Sequence, residues 1–168
     1  ITTLVYDYLV TECAYSASAY ATGHKSVVNA MGVYEDSTKD PFDDPKVENI
    51  AEIVKRTRGM SVGIITQAES TDATPAAMIG HTRRRANQDF LAKSYLDAYH
   101  RPDVIMGGGS ARYLPKSVPG SKRKDNDNVI QDFKDLGYTF VTNSKEMMAA
   151  PSDKPMLGLF HTGTMNVY

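Results

Sequence analysis

Hydrophobic and polar positions follow two alternating rhythms along this chain. After an apolar run from Leu4 to Val10, small residues take over. Ala14, Ala17, Ala19 and Ala21, with Ser16 and Ser18, favour a helix that packs close to its neighbours, and Gly23 is placed to stop it. Residues 29–34 read as a short extended piece, and the Asp- and Pro-rich stretch 35–45 as an exposed loop. Apolar positions at Val47, Ile50, Ile53 and Val54, with basic residues late, predict a helix over 47–58. The largely β-branched run 61–67 predicts a buried strand. A helix is expected from Pro75, which suits a first turn, and an amphipathic helix over 86–100. Residues 103–109 predict a strand running into a flexible glycine turn. The polar loop 115–127 follows, and its basic run from Lys122 to Lys124 reads as solvated surface. A helix over 128–136 stopped by Gly137, a strand over 138–141 and an inner strand over 156–160 complete the series. The alternation predicts an α/β fold with a mostly parallel sheet sandwiched between helices.

Composition narrows the function. The 168 residues fit one domain with a real core. With 19 basic and 20 acidic residues and a net charge of −1, the chain has no nucleic-acid or anionic-membrane signature. No apolar run reaches the roughly 20 residues of a membrane-spanning helix. A single cysteine excludes an internal disulfide and a Cys-based zinc cluster. The chain opens at Ile1 inside an apolar segment and ends at Tyr168 without a polar tail, so residues 1–168 are expected to be a single partial domain. Gly107 to Gly109 lack the spacing of a dinucleotide or P-loop motif and read as a tight strand exit.

The cysteine supplies the candidate chemistry. Cys13 falls at the start of the first helix, among unpaired N–H groups and the positive end of the dipole, where both a thiolate and a phosphate are stabilised. The same position also reads as a small buried cysteine among close-packed alanines. Spacing alone leaves both readings open.

Four blocks together point to one family. The stretch from Thr11 to Lys25 resembles the nucleophile motif of alkaline phosphatases, Asp-Ser-Ala-x-Ser/Thr-Ala-Thr-Ala-x-x-x-Gly-x-Lys. Asp72-Ala-Thr-Pro-Ala-Ala, followed by His81 and Arg85, resembles the second block. Residues 103–109 and 157–165 resemble two later blocks, in the same order. The resemblance, to the bacterial type and running from about Tyr6 onward, implies a metal-dependent phosphomonoesterase working through a covalent phosphoenzyme, with zinc and magnesium as cofactors. Its partners would be phosphate monoesters and inorganic phosphate, in a periplasmic or extracellular protein that is often a homodimer. By position, Cys13 falls where the family has its nucleophilic serine, held by zinc. Thr74 matches a magnesium ligand, and Asp72 a residue holding magnesium through water. Arg85 matches the arginine that clamps phosphate, with Arg83 and Arg84 as surface charges on neighbouring helical positions. His81 matches a family histidine that is not a zinc ligand, so a packed, hydrogen-bonded role is expected.

Two departures matter. Cys13 replaces serine and Glu12 replaces the usual aspartate, which normally helps to orient the clamp. The other zinc and magnesium ligands belong, in the family, to parts before and after this stretch, so the 168 residues alone are expected to be inactive. An alternative from another class is a non-catalytic domain that binds phosphate at the helix start and Arg85. A third is a Cys hydrolase with His81 or His24 as its base.

Overall fold

The computed structural model describes residues 10–34 and 36–167, so the apolar run from Leu4 lies, up to residue 9, outside the described residues. Four strands form one all-parallel sheet: β1 (Gly63–Glu69), β2 (Val104–Gly108), β3 (Thr139–Val141) and β4 (Met156–Leu159), in the order β1-β2-β4-β3. Helices α1 (Cys13–Thr22), α2 (Ile50–Arg58), α3 (Ala73–Ala77), α4 (Gln88–Ser94), α5 (Val129–Asp135) and α6 (Ser144–Ala149) surround it. The main core joins Ile64, Ile105, Leu157 and Leu159 of the sheet to Ala14, Ala17, Ala73, Ala76, Leu91 and Phe133 of the helices. The expected α/β architecture is what the chain adopts, and β4 is the inner strand its apolar run predicts.

Local chemistry explains where elements begin and end. Gly23 takes the left-handed conformation (φ 73°) and closes α1 by donating to the Ala19 carbonyl. Helix α2 starts at Ile50, three residues later than the apolar period suggests. Asn49 accepts from the Glu52 N–H while Glu52 accepts from the Asn49 N–H, a reciprocal capping box. Upstream, Val47 donates to Gly32 and Lys46 bridges to Val33, an extended pairing that a helix would break.

Other elements correct the sequence reading. The helix expected over 86–100 covers only α4, because the Ser94 hydroxyl bonds the Leu91 carbonyl and Asp97 accepts from the Tyr99 N–H in a turn. Strand β1 is not buried on both faces: it has one neighbour among the described strands, and Ile65 is 75% exposed. The glycine stretch is no flexible exit, since Gly107 and Gly108 lie within β2. A Cβ on Gly108 would stand 2.1 Å from the Gly163 carbonyl oxygen, so backbone approach is what requires glycine there. Arg123, read as solvated, is buried. It pairs with Asp125 and donates to the carbonyls of Asp89 and Arg112, tying the polar loop to the core. Helix α6 carries no apolar period, so only Asn143 and Glu146 mark its start in the sequence.

Candidate active site

The sheet delivers the loop after β1, and the chain after α3 delivers a second segment, to the start of α1. Beyond the end of β1 the chain turns through Ser70 and the buried Thr71 to Asp72, which caps α3 by accepting from the Ala73 N–H at 2.8 Å. This is the carboxyl end of a parallel strand, where such sheets place their functional groups. Helix α1 lies against α3 through alanines: Ala14 and Ala17 share one buried cluster with Ala73, Ala76 and Ala77. Small side chains bring the two helix starts close together.

At the start of α1, Cys13 is exposed, which sets aside the buried-cysteine reading. Its Sγ accepts from Arg85 Nη1 at 2.6 Å. The same Nη1 donates to Glu12 Oε2 (3.2 Å), and Arg85 Nη2 donates to Asp72 Oδ1 (2.9 Å). One guanidinium thus joins the cysteine to two carboxylates from different loops. Desolvation works against this cation, but Cys13 and Asp72 outweigh it and raise its pKa. It is therefore a permanent positive charge.

The lengthened Glu12 still reaches Arg85. It is also the N-cap of α1, accepting from the Ala14 and Tyr15 N–H groups at 2.7 Å each. Burial pushes its carboxyl up, yet the N–H groups of Tyr15, Ala14 and Asn29, with Arg85, prevail and hold it below the usual carboxylate range. A lowered carboxylate contributes stability above its unfolded pKa and loses it as pH falls through the folded value. The Glu12→Gln variant should therefore be about 1 kcal/mol less stable than the parent at neutral pH. That gap should close as the medium is acidified below about pH 4, and paired thermal melts across this range check both the size and the sign.

Arg85 is positioned by the stretch read as a short extended piece, whose first residue is in fact part of a turn. Asn29 has φ 68°, the left-handed region that Asn tolerates better than most residues. Its carbonyl accepts from the Arg85 N–H (2.9 Å) and its N–H donates to Glu12 Oε1 (3.2 Å). Two further bonds pair Met31 with Thr82 antiparallel. Residues 83–85 are consequently not helical. Arg83, Arg84 and Arg85 line one cavity of about 280 Å³ with Val28, Asn29 and Ala86, rather than pointing apart as helical neighbours would.

Thr74 is not brought into this cluster. It is exposed on α3 and lines a different cavity, with Gly63, Ile64, Ile65, Thr66, Pro75 and Met78. Nor do the histidines serve Cys13. His24 lies beyond the end of α1 with Nδ1 against the Tyr34 hydroxyl, and both nitrogens of His81 are engaged elsewhere. Among the described residues, no group of three His, Cys, Asp or Glu ligand atoms includes Cys13 or Asp72. The groups gathered around Cys13 therefore do not make a zinc site by themselves.

The alkaline phosphatase family model matches residues 1–168. The chain belongs to the alkaline phosphatase family. It is 35% identical over 161 residues to alkaline phosphatase 4 of Bacillus subtilis, covering 94% of this chain and 31% of that protein. It is 30% identical over 169 residues to streptomycin-6-phosphate phosphatase of Streptomyces griseus, covering 90% and 35%. Alkaline phosphatase from the Antarctic bacterium TAB5 superposes with a TM-score of 0.82 at 25% identity, over 99% of this chain and 44% of that one. A TAB5 mutant described with Mg bound in its M3 site superposes at 0.81 with 26% identity, covering 99% and 43%. The chain thus spans about a third of the length of the curated relatives it matches.

Proposed function

We propose that this chain carries the nucleophile and phosphate clamp of a phosphomonoesterase that forms a covalent phosphoenzyme. The observation that carries the reading is the 2.6 Å contact between Cys13 Sγ and Arg85 Nη1 at the start of a helix. A phosphoryl group entering here replaces that contact. Its non-bridging oxygens meet the guanidinium and the N-terminal end of α1, while sulfur faces phosphorus. The thiolate forms the S–P bond, the ester P–O bond breaks, and the alcohol departs with the electron pair and a proton taken from solvent, which the hydrolytic step returns. Water then attacks phosphorus, the S–P bond breaks, and inorganic phosphate and thiolate are regenerated. Glu12 and Asp72 hold the clamp in place throughout.

Zinc and magnesium belong to this reading, with most of their ligands on parts of a longer, exported protein, periplasmic or extracellular, that pairs as a homodimer. The 168-residue chain alone should accordingly bind phosphate without turning substrate over. A graft separates this from a purely phosphate-binding role. The chain is substituted for the matching third of alkaline phosphatase 4 from Bacillus subtilis, and hydrolysis of a chromogenic phosphate monoester is measured with both metals present. Recovered activity supports the enzyme reading; a folded, phosphate-binding but inert graft favours the alternative. Within an active graft, Cys13→Ser should raise kcat, because zinc holds soft sulfur more tightly than oxygen. A kcat no higher than the parent's would count against Cys13 as a metal-held nucleophile.

A further inference from the structure

Three segments far apart in sequence converge on one buried point. Glu52 of α2, His81 after α3 and His100 ahead of β2 are all buried, at 2%, 5% and 4% exposure. They offer ligand atoms that all lie within 4.8 Å of one another. His81 Nδ1 faces the Gly32 carbonyl oxygen at 2.6 Å; that oxygen can only accept, so Nδ1 carries a proton and Nε2 points inward. There Nε2 meets Glu52 Oε1 at 2.8 Å, while Glu52 Oε2 is fixed by the Asn49 N–H at 2.8 Å. Each inward atom is thus oriented by a bond on the far side of its own group, the outer-shell support that ligating histidines and carboxylates show.

His100 is the informative member. Its Nδ1 stands 3.7 Å from Glu52 Oε1, beyond hydrogen-bond range, and its buried Nε2 has no partner. Nδ1 is therefore the nitrogen that faces Glu52 without bonding it, the position a ligand atom would hold. Burial, with the adjacent His81, pushes its pKa down, which favours the neutral form that binds metals.

We propose that Glu52, His81 and His100 form a buried divalent-metal site of the zinc class. Around a tetrahedral zinc with bonds of about 2.0–2.1 Å, ligand atoms lie roughly 3.3–3.4 Å apart. The observed 2.8 and 3.7 Å bracket that spacing. Two imidazoles and one carboxylate suit zinc or cobalt and not the all-oxygen preference of magnesium or calcium. The ion replaces the proton between His81 Nε2 and Glu52 Oε1, which leaves to solvent, and ties α2 to the loops after α3 and α4. The site shares no residue with the Cys13–Asp72–Arg85 cluster and does not depend on the phosphatase reading.

The test uses the full chain carrying Cys13→Ser, so that the exposed thiol does not compete. Metal-free protein is titrated with zinc against a chromophoric chelator and, separately, with cobalt while visible absorption is recorded. One tight equivalent and the intense absorption of four-coordinate cobalt are expected. Adding His100→Gln should weaken zinc binding at least tenfold while the Glu52–His81 bond stays intact, whereas His161→Gln should leave it unchanged. If His100→Gln fails to fold, zinc added to the His100-containing chain must shift the imidazole nitrogen resonances of His81 and His100. No bound equivalent, binding indifferent to His100→Gln, or unmoved resonances each overturn the proposal.

Discussion

Glu52→Ala is expected to lower the unfolding free energy by about 3–5 kcal/mol in metal-free buffer. Glu52 is buried and sits three residues into the capping box of α2, so the change removes two supports together. The Asn49 N–H loses its acceptor, and His81 Nε2 loses its partner while Nδ1 stays fixed on Gly32. The half-bonded buried imidazole accounts for most of the loss, since breaking one side of a buried pair strands the other. Equilibrium urea unfolding of parent and variant, with equal slopes confirming a shared two-state transition, gives the difference directly. A loss below about 1 kcal/mol would show that water reaches the pair and that it is not buried in solution.

Arg85→Ala should lower kcat/KM of an active graft by about 10²–10³-fold. The guanidinium touches Cys13, Glu12 and Asp72 at once. Its removal deletes the phosphate donor and leaves two carboxylates facing an incoming dianion. Phosphate affinity of the 168-residue chain, followed by phosphorus resonance titration, should fall in parallel. Arg85→Lys should recover only part of either quantity, because a point charge cannot reproduce a planar fork held on both nitrogens. A loss smaller than tenfold in the alanine variant would remove Arg85 from the clamp.

Much of the frame was legible because its causes are local. Gly23 ends α1 through its own backbone freedom, and the apolar run at Met156–Leu159 needs no partner to read as an inner strand. What failed was decided by contacts across the chain. Arg123 is buried by acceptors from two other segments, and β1 has one neighbour rather than two among the described strands; only the early end of α4 is local, through Ser94 and Asp97. At the site, position and family likeness marked Cys13, Asp72 and Arg85, but not why they meet. That depends on Asn29, whose left-handed backbone and two hydrogen bonds join Glu12 to Arg85 across 56 and 17 residues of sequence. An asparagine within a turn was the available signal, and it is shared by many turns with no such task.

The alanines between α1 and α3 contribute no chemistry, yet they act as a ruler. Ala14, Ala17, Ala73, Ala76 and Ala77 are all buried, and their methyl groups set how near the thiol comes to the loop that carries Asp72. Valine or leucine at any of them would widen the gap while every reactive group stayed in the sequence. Substitutions that silence this protein should therefore include a class invisible to any inspection of its polar residues: added carbon, one helix away from the sulfur.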